Sequence, residues 1–328
     1  MKFAIGFDKR DLPRLHGYWD KIVESEQWTE GYFTRLFEEK WSESNQLGSV
    51  AFSSWAGGAS AIMEYYGLRG ETVLVPSNTF MATVLATKKA GATVKFVDCN
   101  KYDLCLSFED LQEKIRLHRP KAVWLVHIGG HIAFDVRKIA ALCRDHNIML
   151  FEDCAHAHGA SWNGERPGTW GDAGVYSFYA TKTISTGEGG MLVSKHPDLL
   201  DFARSYRNYG KPTFAVEGAN YRMNEFTAAI GVVQTERLND IVQWKNERAR
   251  VLDERFSNRV SLPDGMVSGY YKYIVFEPIE HSTGKVYDTP CHKIMADDAQ
   301  LPNTEWVAKH HWCVPLYYET GLTVEPTR

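Results

Sequence analysis

Between Thr72 and Phe151, short apolar runs alternate with helical stretches, and this alternation constrains the fold more than any other feature of the chain. The runs cover 72–75, 93–97, 122–126 and 148–151; helical patterns near 79–90, 108–117 and 136–146 separate them. Ser107, with Asp110 three residues later and Leu111 next, marks a helix start. Strands alternating with helices predict an α/β fold with a mainly parallel sheet covered on both faces. In such sheets ligands sit outside the carboxyl ends of the strands. Pro76-Ser77-Asn78-Thr79-Phe80, His127 and Asp153 all lie at such ends.

The rest of the chain is arranged around that core. Residues 1–20 read as irregular, with Pro13 and Gly17 as breakers. Phe33, Leu36, Phe37 and Trp41 recur at helical spacing in 32–41. After the apolar piece 49–52, a helix opens in the small residues 56–61. Its first N–H groups are free to meet an anion, although Gly57 and Gly58 equally suit tight packing. A helix over 197–207 breaks at 208–212, and a long helix runs from about 224 to 256, with Leu238, Ile241, Ala249, Leu252 and Phe256 on one face. Short pieces follow, including a strand expected at 270–276 with Tyr270, Tyr271 and Tyr273. A chain of 328 residues exceeds a typical single domain, so a large domain over 1–240 and a smaller C-terminal α+β domain over 241–328 are expected, with the boundary near Asp240.

Charge narrows the partners. The 37 basic and 41 acidic residues give a net charge of -4, with no general pull toward nucleic acid or a membrane surface, so a small molecule is the expected partner. Six cysteines without CxxC spacing read as reduced core residues and point to the cytoplasm. The N-terminus lacks the apolar core of a signal peptide, and no run approaches the roughly 20 apolar residues of a membrane span, so neither a targeting segment nor an anchor is expected.

The chemistry concentrates in 151–190. No GxGxxG follows a strand and no GxxxxGK[ST] occurs, which removes the usual support for dinucleotide and P-loop readings. His156 and His158 lie close to Cys154, but their i, i+2 spacing lacks the paired ligands of a metal site, and no metal is predicted. Pyridoxal 5'-phosphate needs an amine for its aldehyde, a carboxylate for its ring nitrogen, a phosphate cradle and a ring sandwich. Lys182 supplies the amine and Asp153 the carboxylate, while Ser177 and the N–H groups of Gly58 and Ala59 supply the cradle. Alone, each has a plain alternative: Asp153 as a turn cap, Lys182 as a solvated cation, Ser177 as a strand hydroxyl. Their joint order at strand ends favours the cofactor site.

At VPSNTF, VKFVDC, VHIGG, FEDCAHAHGA, GDAGVYSFYATK, GEGGMLV, RNYG and NYRMNEFTAAIG the chain resembles the DegT/DnrJ/EryC1/StrS sugar aminotransferase family, of the aspartate-aminotransferase fold type. The resemblance runs from about Gly31 to Glu254 and resumes near Val286. It implies PLP fold type I, with a seven-stranded, mainly parallel sheet. It also implies that Lys182 bonds the cofactor, Ser177 binds its phosphate and Asp153 faces its ring nitrogen. By the same resemblance His156 lies beside the ring, Phe80 stacks on it, and Gly58 and Ala59 hold the phosphate. Asn220 corresponds to a residue that reaches the neighbouring subunit's phosphate, which implies a homodimer with shared sites. His292 falls where relatives place a histidine near the substrate. The phosphate loop SWAGGASA lacks the threonine of many relatives, and the region after the long helix is shorter than in many of them.

The implied activity is transfer of an amino group, with glutamate as donor, to a keto sugar, nucleotide-linked, in amino-sugar biosynthesis. A cyclitol is an alternative acceptor. A dehydratase or lyase on the same scaffold is an alternative reaction, although such relatives carry His at the lysine position. A non-catalytic regulator predicts a broken catalytic set, whereas Asp153, Ser177 and Lys182 are all present.

Overall fold

The alternating stretch folds as its pattern requires. In a computed structural model that describes residues 5–318, the chain opens with helices α1 (Leu12–Ser25) and α2 (Tyr32–Asn45), then strand β1 (Gly48–Phe52) and helix α3 (Trp55–Tyr65). The repeating units follow: β2 (Thr72–Pro76), α4 (Met81–Lys89), β3 (Thr93–Val97), α5 (Phe108–His118), β4 (Ala122–Val126), α6 (Val136–Asp145) and β5 (Met149–Asp153). Next come β6 (Ser161–Trp162), β7 (Ala173–Ser177), β8 (Gly190–Ser194), α7 (Pro197–Tyr206) and the 31-residue α8 (Glu225–Arg255). The last part holds β9 (Met266–Val267), β10 (Tyr273–Val275), α9 (Cys291–Ile294), α10 (Pro302–Lys309) and β11 (Trp312–Val314).

Seven strands form one sheet in the order β1-β8-β7-β5-β4-β2-β3. Only β8 runs against its neighbours. Strand residues alternate between the faces as a two-residue period demands. Val73 and Val75 pack with Trp55, Ile62, Val84 and Leu199 from α3, α4 and α7. Leu74, between them, packs with Leu111, Ile115, Val136 and Ile139 from α5 and α6. A third cluster joins Tyr176 and Met191 to Phe37 and Trp41 of α2 and Val232 of α8. Each fully buried aliphatic or Phe side chain contributes about 1.5–3 kcal/mol.

The register sets the site. Val126 pairs with Asp153, Asp153 with Val175, Ser177 with Gly190, and Gly190 with Phe52. The carboxyl ends of β4, β5, β7 and β1 therefore share one edge with the start of β8. Gly190 is required there, because a Cβ would lie 2.3 Å from the Ser54 carbonyl oxygen that precedes α3.

Two expectations need correction. Residues 12–25 are helical rather than irregular, since Pro13 lies in the first turn, where its missing N–H takes no intrahelical bond. The strand expected at 270–276 shortens to Tyr273–Val275, because Tyr270 takes a left-handed φ of 40° and breaks the extended run. α8 runs unbroken through Asp240. The segment after it has a small cluster of its own, where Phe256, Tyr273 and Val275 pack with Ala249 of α8, and it also contributes to the cores of the sheet. Met266, Ile274, Val307 and Cys313 join the cluster of α5 and α6, and Cys291 and Leu301 join that of α3 and α4. Lys245 of α8 binds this segment by donating to the carbonyls of Tyr270 at 2.8 Å and Leu316 at 2.9 Å. All six cysteines are buried free thiols, and among the described residues no helix is long and apolar enough to cross a membrane.

Candidate active site

Asp153 ends β5 as a buried carboxylate. The Thr83 hydroxyl donates to its Oδ2 at 2.9 Å and the Ala155 N–H to its Oδ1 at 3.0 Å. Thr83 lies in the first turn of α4, and Thr79 reaches its hydroxyl at 3.1 Å. Burial pushes the Asp153 carboxyl upward, while the two donors and the charge of Lys182 oppose the rise.

Lys182 follows β7 in a turn where its N–H donates to the Tyr179 carbonyl at 2.9 Å. Its ammonium stands 4.8 Å from the centroid of the Tyr271 ring and forms no salt bridge among the described residues. Burial lowers its pKa to about 8, with Asp153 pulling the other way. A lysine at that value carries a usable fraction of free amine near neutral pH.

His156 completes the wall. Its ring stacks on Tyr271 at 4.2 Å, its Nε2 lies 3.4 Å from the Tyr287 hydroxyl, and its buried Nδ1 has no protein partner. Burial holds this ring well below its usual pKa, so it stays neutral. Tyr287, half-buried, is pushed well up by burial and by Asp153, with the Phe80 backbone opposing. Phe80 precedes α4 with 65% of its surface exposed. His158, two residues on, belongs to the core, between Trp41, Tyr176 and Phe178.

The phosphate side lies at the α3 terminus. Ser177 is buried, and its oxygen accepts the Tyr179 N–H at 3.3 Å. Ser54 caps α3 by accepting from the Gly57 N–H. Gly58 and Ala59 are buried in the first turn and a half, and a Cβ on Gly58 would lie 3.0 Å from Val175 of β7. Close seating of α3 on β7 thus needs the small residue that an anion cradle also needs.

The other two predicted positions stand apart. Asn220 is exposed on the loop between α7 and α8, its oxygen accepting the Arg222 N–H at 3.3 Å. His292 is fully buried in α9, with Nδ1 at 2.7 Å from the Ser77 hydroxyl and Nε2 at 3.4 Å from Glu305. With both nitrogens occupied, it braces the loop after β2 and presents no free group to a substrate. Thr83, Tyr271 and Tyr287 were not foreseen; the only signal was the tyrosine cluster itself, which read as a half-buried strand.

These residues fit pyridoxal phosphate. Asp153 is a buried carboxylate without a salt bridge among the described residues, and a protonated ring nitrogen would complete it. The unpaired Lys182 amine, the orphan His156 Nδ1 and the small-residue start of α3 match the aldehyde, the phenolic oxygen and the phosphate. A metal fits less well. His127, Glu152 and Cys154 bring ligand atoms within 4.8 Å of one another. Yet Glu152 already accepts from Gly168 and Gly171 and pairs with His127 at 2.8 Å, while His127 Nδ1 accepts from Ala133.

Comparison with known proteins agrees with this geometry. GDP-perosamine synthase of Escherichia coli O157:H7 is 33% identical over 241 residues, covering 71% of this chain and 66% of the relative. The dTDP-4-dehydro-2,3,6-trideoxy-D-glucose 4-aminotransferase of Saccharopolyspora spinosa is 30% identical over 76% of this chain and 74% of its own. Over the first three curated relatives the matches span between 51% and 66% of the relatives' length. Among solved structures, the aminotransferase TlmJ from Streptoalloteichus hindustanus superposes with a TM-score of 0.87 at 29% identity, covering 96% of this chain and 93% of that one. The sequence model of the DegT/DnrJ/EryC1/StrS aminotransferase family matches residues 14–266, three quarters of the chain, and the chain belongs to that family.

Proposed function

We propose that this protein is a pyridoxal-phosphate aminotransferase that moves an amino group from glutamate to a nucleotide-linked keto sugar. The observation that carries the reading is the pairing of an unpartnered Lys182 amine with a buried Asp153 across one sheet edge. When bound, the cofactor supplies an electron sink for the carbon that bears the amine. Asp153 holds the charge of the ring nitrogen, and Thr83 and Ala155 fix its orientation. Lys182 accepts and returns the proton at its Nζ, a task suited to a base whose pKa lies near working pH. His156 and Phe80 bound the ring on its two faces, and Ser177 with the α3 terminus takes the phosphate.

The two curated relatives described above are named for nucleotide-linked sugars, GDP-linked in one and dTDP-linked in the other, which supports that substrate class here. A homodimer completes the site. Exposed aromatic residues surround Asn220: Tyr209 and Phe214 lie on its loop, and Trp28 packs on Phe226 at the start of α8. Glu30 joins the patch through Asn208, which Arg222 also contacts. Such rings on a surface mark an interface, and Asn220 reaches the partner's phosphate from it.

The test loads the protein with pyridoxal phosphate, converts it to the amine form with glutamate, and screens nucleotide-linked keto sugars for return of the visible absorbance. Lys182→Ala is expected to lose the visible band. Wild-type protein that takes up no pyridoxal phosphate would sink the reading.

A further inference from the structure

The site holds a second amine. Lys272 follows Tyr271, and its ammonium stands 5.2 Å from the centroid of the ring that Lys182 approaches at 4.8 Å. Its backbone is fixed from below: the Lys272 N–H donates to the Gly129 carbonyl at 2.8 Å, and the Gly269 N–H to Gly130 at 2.8 Å. Gly130, at a φ of 109°, comes so close that a Cβ would lie 2.5 Å from the Tyr271 nitrogen. Lys272 therefore cannot drift unless the turn after β4 moves with it.

The Lys272 side chain is half-buried, and among the described residues no carboxylate pairs with it. Its charge lowers the proton affinity of both Lys182 and His156. Asp153 is the carboxylate of this enclosure, and Thr83 and Ala155 already hold it. Two amines beside one committed acid leave the site short of an anion, since a partly buried ammonium is costly without one.

An amino-acid donor brings that anion to a defined place. Its carboxylate is bonded to the carbon whose amine reacts, so it must lie close to the reacting amine. A keto sugar carries no charge so near its carbonyl. We propose that Lys272 receives the α-carboxylate of the amino donor and so sets the donor class as amino acids rather than simple amines. This assignment rests on the aminotransferase reading above.

The test compares cofactor-loaded wild type, Lys272→Met and Lys272→Arg. Calorimetry follows binding of glutarate, an unreactive dicarboxylate, and of inorganic phosphate; absorbance follows the half-reaction with glutamate. Lys272→Met is expected to weaken glutarate binding and raise the half-saturating glutamate concentration by about tenfold or more, as loss of a charged hydrogen bond implies. Lys272→Arg recovers most of the affinity, a pattern that a merely structural role does not give. If Lys272→Met melts far below wild type, Lys272→Gln takes its place. Unchanged glutarate affinity in the neutral variants overturns the proposal, and loss of phosphate binding alone gives Lys272 to a phosphate of the acceptor. A wild type that binds cofactor and glutarate but never converts glutamate defeats the aminotransferase reading, while the calorimetry still decides what Lys272 holds.

Discussion

Lys182 owes its reactivity to where it is kept. Enclosure lowers its pKa from an ordinary 10.5 to about 8, because the charge of Asp153 only partly offsets the lost hydration. Only the neutral amine attacks an aldehyde, so the rate of pyridoxal phosphate uptake is expected to rise about tenfold per pH unit below 8 and to level off above it. Stopped-flow absorbance from pH 6 to 9.5 measures this, and a rate still climbing steeply at pH 9.5 would show an ordinary lysine. Because the Lys272 charge helps to lower that pKa, Lys272→Met should move the break upward. Asp153, Ser177 and Lys182 were legible in the sequence because each ends or follows an apolar run, with the reacting groups in one short stretch. Thr83, Tyr271 and Tyr287 were not, since each contacts Asp153 or His156 only through tertiary folding. His292, in the TPCHK stretch, is buried with both ring nitrogens occupied, and nothing in the local sequence shows that.

At the scale of elements, helix termini are held by carboxylates from far along the chain. Glu225, in the first turn of α8, is buried and accepts from the N–H groups of Gly31, Phe33 and Thr34 and from the Thr34 hydroxyl, so it caps α2 from 191 to 194 residues away. Asp98 does the same for α10, accepting from Asn303 and Thr304. Such caps satisfy N–H groups that a helix cannot satisfy itself. Glu225→Ala strands three N–H groups and a hydroxyl in a closed space and is expected to cost about 2–4 kcal/mol. Urea unfolding reads this as a lower midpoint with an unchanged slope; a midpoint equal to that of wild type would show the donors reaching water. Most elements were visible in the sequence, because two-residue and helical periods are local properties. α1 was missed because Pro13 reads as a breaker when its position in the helix is unknown. The short strand β10 was overextended because three tyrosines match a strand pattern even where the backbone turns at Tyr270.

The whole molecule carries the question of shared sites. In the proposed dimer, where Lys182 of one chain and Asn220 of the next serve one site, two inactive variants can repair each other. Equimolar Lys182→Ala and Asn220→Ala chains, unfolded and refolded together, are expected to regain roughly a quarter of wild-type activity, because half the dimers are hybrids with one intact site. Activity no higher than that of either variant alone rejects the shared site. The α/β class and the edge that holds the site were legible from alternation alone. The way the C-terminal segment shares the cores of the sheet was not, since residues such as Cys291 and Val307 lie on short pieces without a period of their own. That segment supplies Tyr271 and Tyr287, and the Gly130 contact locks Tyr271 against the turn after β4. A ribosome makes these parts in order. The aspartate, the lysine and the sheet emerge before Tyr271 and Tyr287, the tyrosines of the wall that encloses them. The enclosure around Lys182 can therefore close only after Tyr287 has been made, and the proposed cofactor pocket stays open until then.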